Sequence, residues 1–166
     1  MPSLSVGSRD IAKPQPLFTV TQGTSATTFT ISGLNGDGGR LYRLVWHLSC
    51  VLGNAGFSFN GNAATKLVYH YAVNAIGVAG SSQASNFGVL SGDVRGETML
   101  YLKSGVYRQA IGWWGYQYDP TPEMNRVSNM ANWTTPTGNI TNVALTSAAN
   151  INAGSTCDVY DAGVSR

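Results

Sequence analysis

Charged side chains are scarce in this sequence. They make up 11% of its 166 residues, less than half of the roughly 25% that is usual in soluble globular proteins. The formal net charge is +2, and no basic run concentrates it. A nucleic acid or an anionic membrane is therefore not predicted as a partner, because both are recognised through clusters of Lys and Arg. Hydrophobic residues, at 43%, exclude a disordered chain for most of the length.

Reactive and metal-binding side chains are also few. The two cysteines and two histidines form neither a disulfide framework nor a zinc-binding pattern, so Cys50 and Cys157 are expected to be small buried thiols. No apolar run approaches the roughly 18 residues of a membrane span, and the opening residues lack the pattern of a signal peptide. We expect no metal, no cofactor, and a chain that is made and kept soluble without secretion.

One cluster near the C terminus invites a chemical interpretation. Cys157 stands beside Asp158, with Asp161 shortly after. A strand places neighbouring residues on opposite faces, so Cys157 and Asp158 should point apart. A catalytic cysteine also needs a base, and the sequence places neither His47 nor His70 beside the thiol. We therefore predict a buried terminal strand and no catalytic residue.

The stretch IGWWGYQYDPTPE contains two further candidates. Trp113 and Trp114 should point to opposite faces of a strand, so at most one can be core and the other lies at a surface or an interface. Asp119 and Glu123 come next, and paired carboxylates beside aromatic residues suit sugar hydrolysis, but their spacing across two prolines makes no specific prediction. A hydrolase that uses one of these carboxylates as its acid stays open as an alternative.

Strand patterns dominate the chain. There are only two Glu and three Lys, and Gly or Pro interrupts most windows long enough for a helix. The longest strand candidate is RLYRLVWHLSCVL (40–52), in which one alternating set is uniformly apolar and should face a core. That set is Tyr42, Leu44, Trp46, Leu48, Cys50 and Leu52. Further candidates lie at 17–21, 26–32, 56–60, 66–73, 98–104, 107–118, 140–147 and 155–164. The sequence predicts an all-β fold, a β-sandwich or a barrel.

Turn residues predict how these strands are connected. LFTVT and ATTFTIS indicate a hairpin around QGTS, and LNGDGG (34–39) indicates a turn. Two longer segments, 74–88 and 119–139, are predicted to be irregular connections. Long connections in compact domains tend to be functional or ordered by a partner.

The N-terminal segment differs in character from the rest of the chain. Its apolar residues are spaced among prolines, and it has too little apolar content to fold alone. We predict an extended arm over 1–16 that binds a partner, followed by a single domain over 17–166. The candidate partner-binding residues of the arm are Leu4, Val6, Ile11, Pro14 and Pro16.

Three stretches together resemble a known family. FSFNGN (57–62), YHYAVNAIG (69–77) and ITNVALTSAANINAGSTCDVYDAG (140–163) are similar to the small jelly-roll-like β-sandwich domains of tailed-bacteriophage structural proteins. Such domains occur in capsid decoration proteins, head fibres and tail or receptor-binding proteins. In that pattern an Asn-Gly turn precedes a Tyr-rich strand, and a penultimate strand leads through AGST into a closing strand. The segment 119–139 departs from it.

The resemblance implies an antiparallel, jelly-roll-like β-sandwich and a non-enzymatic component of a virion. We expect a capsid decoration (cement) protein on the capsid surface, assembled in the host cytoplasm, whose partners are the major capsid protein and copies of itself. Symmetric self-association, as a homotrimer, would multiply weak contacts. The alternative is a tail or head-fibre module that binds a host-surface glycan through exposed aromatic rings. The candidate interface or glycan-contact residues are Trp113, Trp114, Tyr116 and Trp133.

Overall fold

The computed structural model describes residues 14–60, 62–63, 69–73, 76–81, 88–104, 108–117, 124–133 and 138–164. Within these ranges the chain forms eleven strands and one short 3-10 turn, and all the strand pairings are antiparallel. The predicted all-β fold class is confirmed. The strands are β1 (Phe18–Thr21), β2 (Ala26–Ser32), β3 (Arg40–Phe59), β4 (Asn62–Ala63), β5 (Tyr69–Val73), β6 (Ile76–Ser81), β7 (Gly88–Tyr101), β8 (Arg108–Gln117), β9 (Met124–Trp133), β10 (Asn142–Ile151) and β11 (Thr156–Val164).

The strands lie in an order that differs from their order along the chain. Neighbouring strands run β1-β11-β3-β7-β8-β9-β5-β6, while β10 pairs with both β2 and β3, and β4 pairs with β3. The strand β3 is therefore the centre of the arrangement, with β11, β10, β7 and β4 as partners. The sandwich or jelly-roll arrangement itself stays a prediction.

The strand β3 doubles back on itself. Trp46 and Phe57 would be about 36 Å apart along a straight strand, yet their ring centroids are 6.0 Å apart. The register of β3 with β7 shifts between Cys50 and Gly53. The register of β10 with β3 shifts between Ser147 and Ile151 of β10, opposite the same part of β3. Such irregularities bend a strand. A Cβ at Gly53 would meet the Ala149 backbone nitrogen at 2.8 Å, so the bend needs glycine.

The core forms around the inside of this bend. Trp46 contacts Phe29 edge-on at 5.9 Å, and its indole N–H donates to the Thr98 hydroxyl at 3.0 Å. The predicted alternation in β3 is confirmed from Tyr42 to Cys50, where every second residue is buried. The side chain of Leu52 is not among those described. Large apolar side chains that are fully buried include Phe29, Ile31, Leu44, Trp46, Leu48, Phe59, Leu100 and Trp114.

Three predicted connections are wrong in part. The segment QGTS does not close a hairpin, because β1 pairs with β11 and β2 pairs with β10. The predicted irregular connections 74–88 and 119–139 contain the strands β6 and β9. The turn at 34–39 is confirmed: Asn35 accepts from the Gly38 N–H, and Gly39 is left-handed with φ +68°.

Candidate partner-binding face

The two adjacent tryptophans of β8 have opposite environments. Trp113 is 40% exposed, and Trp114 is 1% exposed in the core. Strand alternation predicts this division, and the structure assigns Trp113 to the surface. Trp114 is too deeply buried to contact a glycan or a partner in this fold, so it leaves the set of candidate contact residues.

Trp113 belongs to an exposed apolar group on the outer face of the sheet. Ile111, two positions before it on β8, is 48% exposed, and Met99 of β7 pairs with Ile111 in register. We call Met99, Ile111 and Trp113 the β8 stripe. Exposed apolar side chains occur singly on most proteins, whereas large ones on neighbouring positions of one sheet face suit protein contact.

Paired charges lie beside the β8 stripe. Arg43 donates to both carboxylate oxygens of Glu97, from Nε at 3.0 Å and from Nη2 at 2.6 Å, and its guanidinium stands 5.7 Å from the centre of the Tyr160 ring. The hydrogen bond to Glu97 raises the pKa of Arg43 above its usual range. Because the charges are paired, this part of the outer face presents little net charge to a partner.

The predicted arm joins the sheet at its edge strand. Pro14 is exposed, Pro16 is half-buried, and both precede β1 without regular structure. The edge is fixed to β11 by the Thr19 hydroxyl, which donates to the Asp158 carboxylate at 2.6 Å. The other candidate arm residues, Leu4, Val6 and Ile11, lie outside the described residues.

The remaining candidate aromatics are placed only by their backbone. Tyr116 of β8 pairs with Val94 of β7, and Trp133 of β9 pairs with Arg108 of β8. Their side chains are not among those described, so their part in binding stays a prediction.

The C-terminal cluster is divided as the sequence predicts. Cys157 is fully buried, while Asp158 faces outwards towards β1. Burial, with the Asp158 charge as a smaller cause, raises the pKa of the Cys157 thiol far above its usual value. Burial also raises the pKa of Cys50 to about 12. Neither thiol is therefore ionised at neutral pH, and neither is suited to act as a nucleophile.

An open cavity of about 260 Å³ lies where residues 47–49 of β3, Asp93 and Arg95 of β7, and residues 153–156 at the start of β11 meet. His47 and Arg95 pair across β3 and β7 and share a hydrogen bond, and Arg95 also forms an ion pair with Asp93 at 3.4 Å. Ser49 and Ser155 line the cavity and hydrogen-bond to each other. No sequence pattern indicates this cluster, because its members come from separate strands. Its charged groups neutralise one another.

The described residues carry two further negative findings. None of their helical segments has the length and hydropathy needed to cross a membrane. No group of three or more His, Cys, Asp or Glu residues among them is arranged to hold a metal ion. Asp119 and Glu123, the candidate hydrolase carboxylates, lie outside the described ranges, and so does Arg166 at the end of the chain. No protein-family model, curated protein or solved structure matches this chain.

Proposed function

We propose that the protein is a structural component of a bacteriophage virion that acts as a capsid decoration protein. It binds the outer surface of the major capsid protein lattice, and it stabilises that lattice through its N-terminal arm and through self-association as a homotrimer. The observation that carries this proposal is the β8 stripe, which offers exposed apolar contact area on a sheet face of low net charge. The family resemblance of the sequence agrees with it.

The small binding free energy expected for one copy favours attachment to a repeating lattice over binding to a single partner molecule. Burying the half-exposed side chains of Ile111 and Trp113 would contribute about 1 kcal/mol each. Ordering an extended arm offsets part of what its own apolar residues contribute. One copy would therefore bind weakly, whereas several linked copies on a repeating surface bind by avidity. Such a surface is what a capsid lattice offers.

Deletion of residues 1–15 tests the arm mechanism. We expect occupancy on purified capsids to fall at least tenfold, because the arm contacts are lost from every copy. A Trp113→Ser variant tests the stripe, with Trp113→Phe as its matched control, because phenylalanine keeps an apolar ring. Unchanged occupancy for both the deletion and Trp113→Ser would reject the proposal.

A second candidate function is supported by Trp113 alone. An exposed indole beside a carboxylate, here Glu97 directly across β7 and β8, can stack on a sugar ring and accept from its hydroxyls. In that case the protein is a tail or head-fibre module that binds a host glycan. Glycan-array binding that is lost in Trp113→Ala or Trp133→Ala, together with gold labelling at the tail instead of the shell, would favour this function over cement.

A further inference from the structure

The open cavity at the start of β11 lies between two parts of the chain. Strands β3 and β7 supply one side with His47, Asp93 and Arg95, and the turn 152–155 between β10 and β11 supplies the other with its last three residues. The cavity volume of about 260 Å³ is just below the range of about 300–1,000 Å³ that is usual for drug-sized ligands. Its size therefore suits a small molecule.

The turn is held in place by the strands around it. The Asn152 N–H donates to the Ser49 carbonyl at 2.8 Å, and the Asn152 side-chain amide donates to the Ser49 hydroxyl at 2.9 Å. The Ser155 hydroxyl accepts from the Ser49 N–H at 3.0 Å. The Gly154 N–H donates to the Gln22 carbonyl at 2.9 Å, which also fixes the turn to the end of β1. A wall that is already fixed loses little freedom when a ligand binds, so the cavity is preorganised.

The opposite wall presents both hydrogen-bond donors and an acceptor. Arg95 hydrogen-bonds to Nδ1 of His47. A guanidinium can only donate, so the ring proton of His47 lies on Nε2, where it is a further donor. Arg95 meets the Asp93 carboxylate at 3.4 Å, which is longer than a usual hydrogen bond. The side chains of Asp93 and Arg95 are 66% and 56% exposed, so both keep hydrogen-bonding groups for a ligand.

The charges of the cavity disfavour an ion as the ligand. An anion would be repelled by Asp93, and a cation would be repelled by Arg95. A hydroxyl group both donates and accepts, so adjacent hydroxyls can accept from Arg95 and His47 and donate to Asp93. The Ser49 and Thr156 hydroxyls line the same cavity and can do either. The cavity therefore suits an uncharged molecule with several adjacent hydroxyls.

We propose that this cavity binds the ring of a neutral monosaccharide, through hydrogen bonds from Arg95 and His47 and to Asp93. The site lies apart from the β8 stripe and uses none of its residues. It goes beyond the proposed function and does not rest on it. A single sugar ring has about twelve non-hydrogen atoms, so its dissociation constant should lie in the millimolar range.

Titration of isotope-labelled protein with small ligands, followed by NMR, tests the site. Glucose, galactose and mannose are the neutral probes. Glucuronate and glucosamine carry the glucose ring with one negative or one positive charge, and free alanine is a zwitterion. We expect at least one neutral sugar to shift the backbone signals of the cavity residues, which are residues 47–49, Asp93, Arg95 and residues 153–156. It should bind at least fivefold more tightly than the charged probes and alanine.

Substitutions that change the charge of the cavity give a signature that a loss of folding would not produce. Asp93→Asn keeps the size of the side chain but leaves Arg95 unbalanced, so the neutral sugar should bind at least threefold more weakly while glucuronate gains affinity. Arg95→Gln should favour glucosamine for the same reason. The matched controls are Asp161→Asn and Arg40→Gln, which change an exposed ion pair outside the cavity. These controls should leave every dissociation constant unchanged.

Several results would overturn the proposal. One is that no neutral sugar shifts the cavity signals at concentrations well above the millimolar range. Another is tighter binding of a charged probe or of alanine to the unaltered protein. Full binding in both cavity variants, with loss in Trp113→Ser, would also overturn it and would place the sugar at the β8 stripe.

Discussion

The same strands build both faces of the sheet, but the inner face carries buried side chains and the outer face carries more exposed ones. Trp46 of β3 and Trp114 of β8 lie on the inner face and are each 1% exposed, whereas Trp113 is 40% exposed on the outer face. The inner face is mostly apolar, with Thr98 and Arg108 among its buried residues. The outer face divides into paired charges over β3 and β7 and apolar side chains over β8. The inner face therefore stabilises the fold, and a partner can bind the outer face without unfolding the protein.

Among the variants that test this comparison, truncation of the buried Trp46 ring should have the largest effect on stability. Trp46→Ala removes a buried ring that contacts Phe29 and Phe57, and it leaves the Thr98 hydroxyl without its donor. We expect a loss of about 3–5 kcal/mol in the free energy of unfolding, measured by urea denaturation. Trp113→Ala is the matched control and should cost less than about 1 kcal/mol. Equal losses would contradict the division into two faces.

Filling the bend of β3 should have the next largest effect. Gly53→Ala places a Cβ 2.8 Å from the Ala149 backbone nitrogen and 2.9 Å from the Ser147 hydroxyl, so the two strands must move apart. We expect a loss of about 1–3 kcal/mol in the same measurement. Gly23→Ala, where no atom lies within 4 Å, should leave stability nearly unchanged. A tolerated Gly53→Ala would mean that the bend has room to spare.

The buried thiols of the inner face should make the stability of the protein depend on pH, and their reactivity shows whether the core is closed. Since burial raises the pKa of Cys50 to about 12, the folded protein holds its thiol proton more tightly than the unfolded chain. This stabilisation is complete below the thiol's ordinary pKa near 9 and is lost as the pH rises towards 12. We expect little reaction of native protein with a thiol reagent at pH 8 and reaction of both cysteines after unfolding. Rapid reaction of the native protein would show that the core opens at the thiols.

The outer charge pair should matter least for stability. The Arg43 and Glu97 side chains are 37% and 33% exposed, and such pairs contribute about 0–1 kcal/mol. We expect Glu97→Gln to change the free energy of unfolding by less than about 1 kcal/mol, with Asp93→Asn at the more exposed pair as control. Thermal unfolding at low and high salt measures both. A loss above about 2 kcal/mol would assign the outer face a structural role.

Local alternation in the sequence predicted the inner face well. The residues from Tyr42 to Cys50, the opposed pair Trp113 and Trp114, and the division of Cys157 from Asp158 all result from strand geometry. These features depend only on neighbours along the chain. For that reason they could be inferred without knowledge of which strands pair.

Long-range features could not be predicted in this way. The predicted alternation runs to Leu52, and the pattern does not show that β3 continues to Phe59. The strand β9 has the sequence MNRVSNMANW, in which Asn and Ser lower strand propensity and hide the strand. The cavity around His47 and Arg95 depends on the register of β3 with β7. Registers between distant segments leave no local signal.

The doubled course of β3 also limits how this protein can be divided. Residues 40–47 pair with β11, Cys50 and residues 55–59 pair with β10, and the Trp46 ring contacts the Phe57 ring across the bend. A cut or recombination joint near residue 52 would separate Trp46 from Phe57 and divide the residues that pair with β7 between two fragments. A split reporter made from this protein should therefore be divided elsewhere.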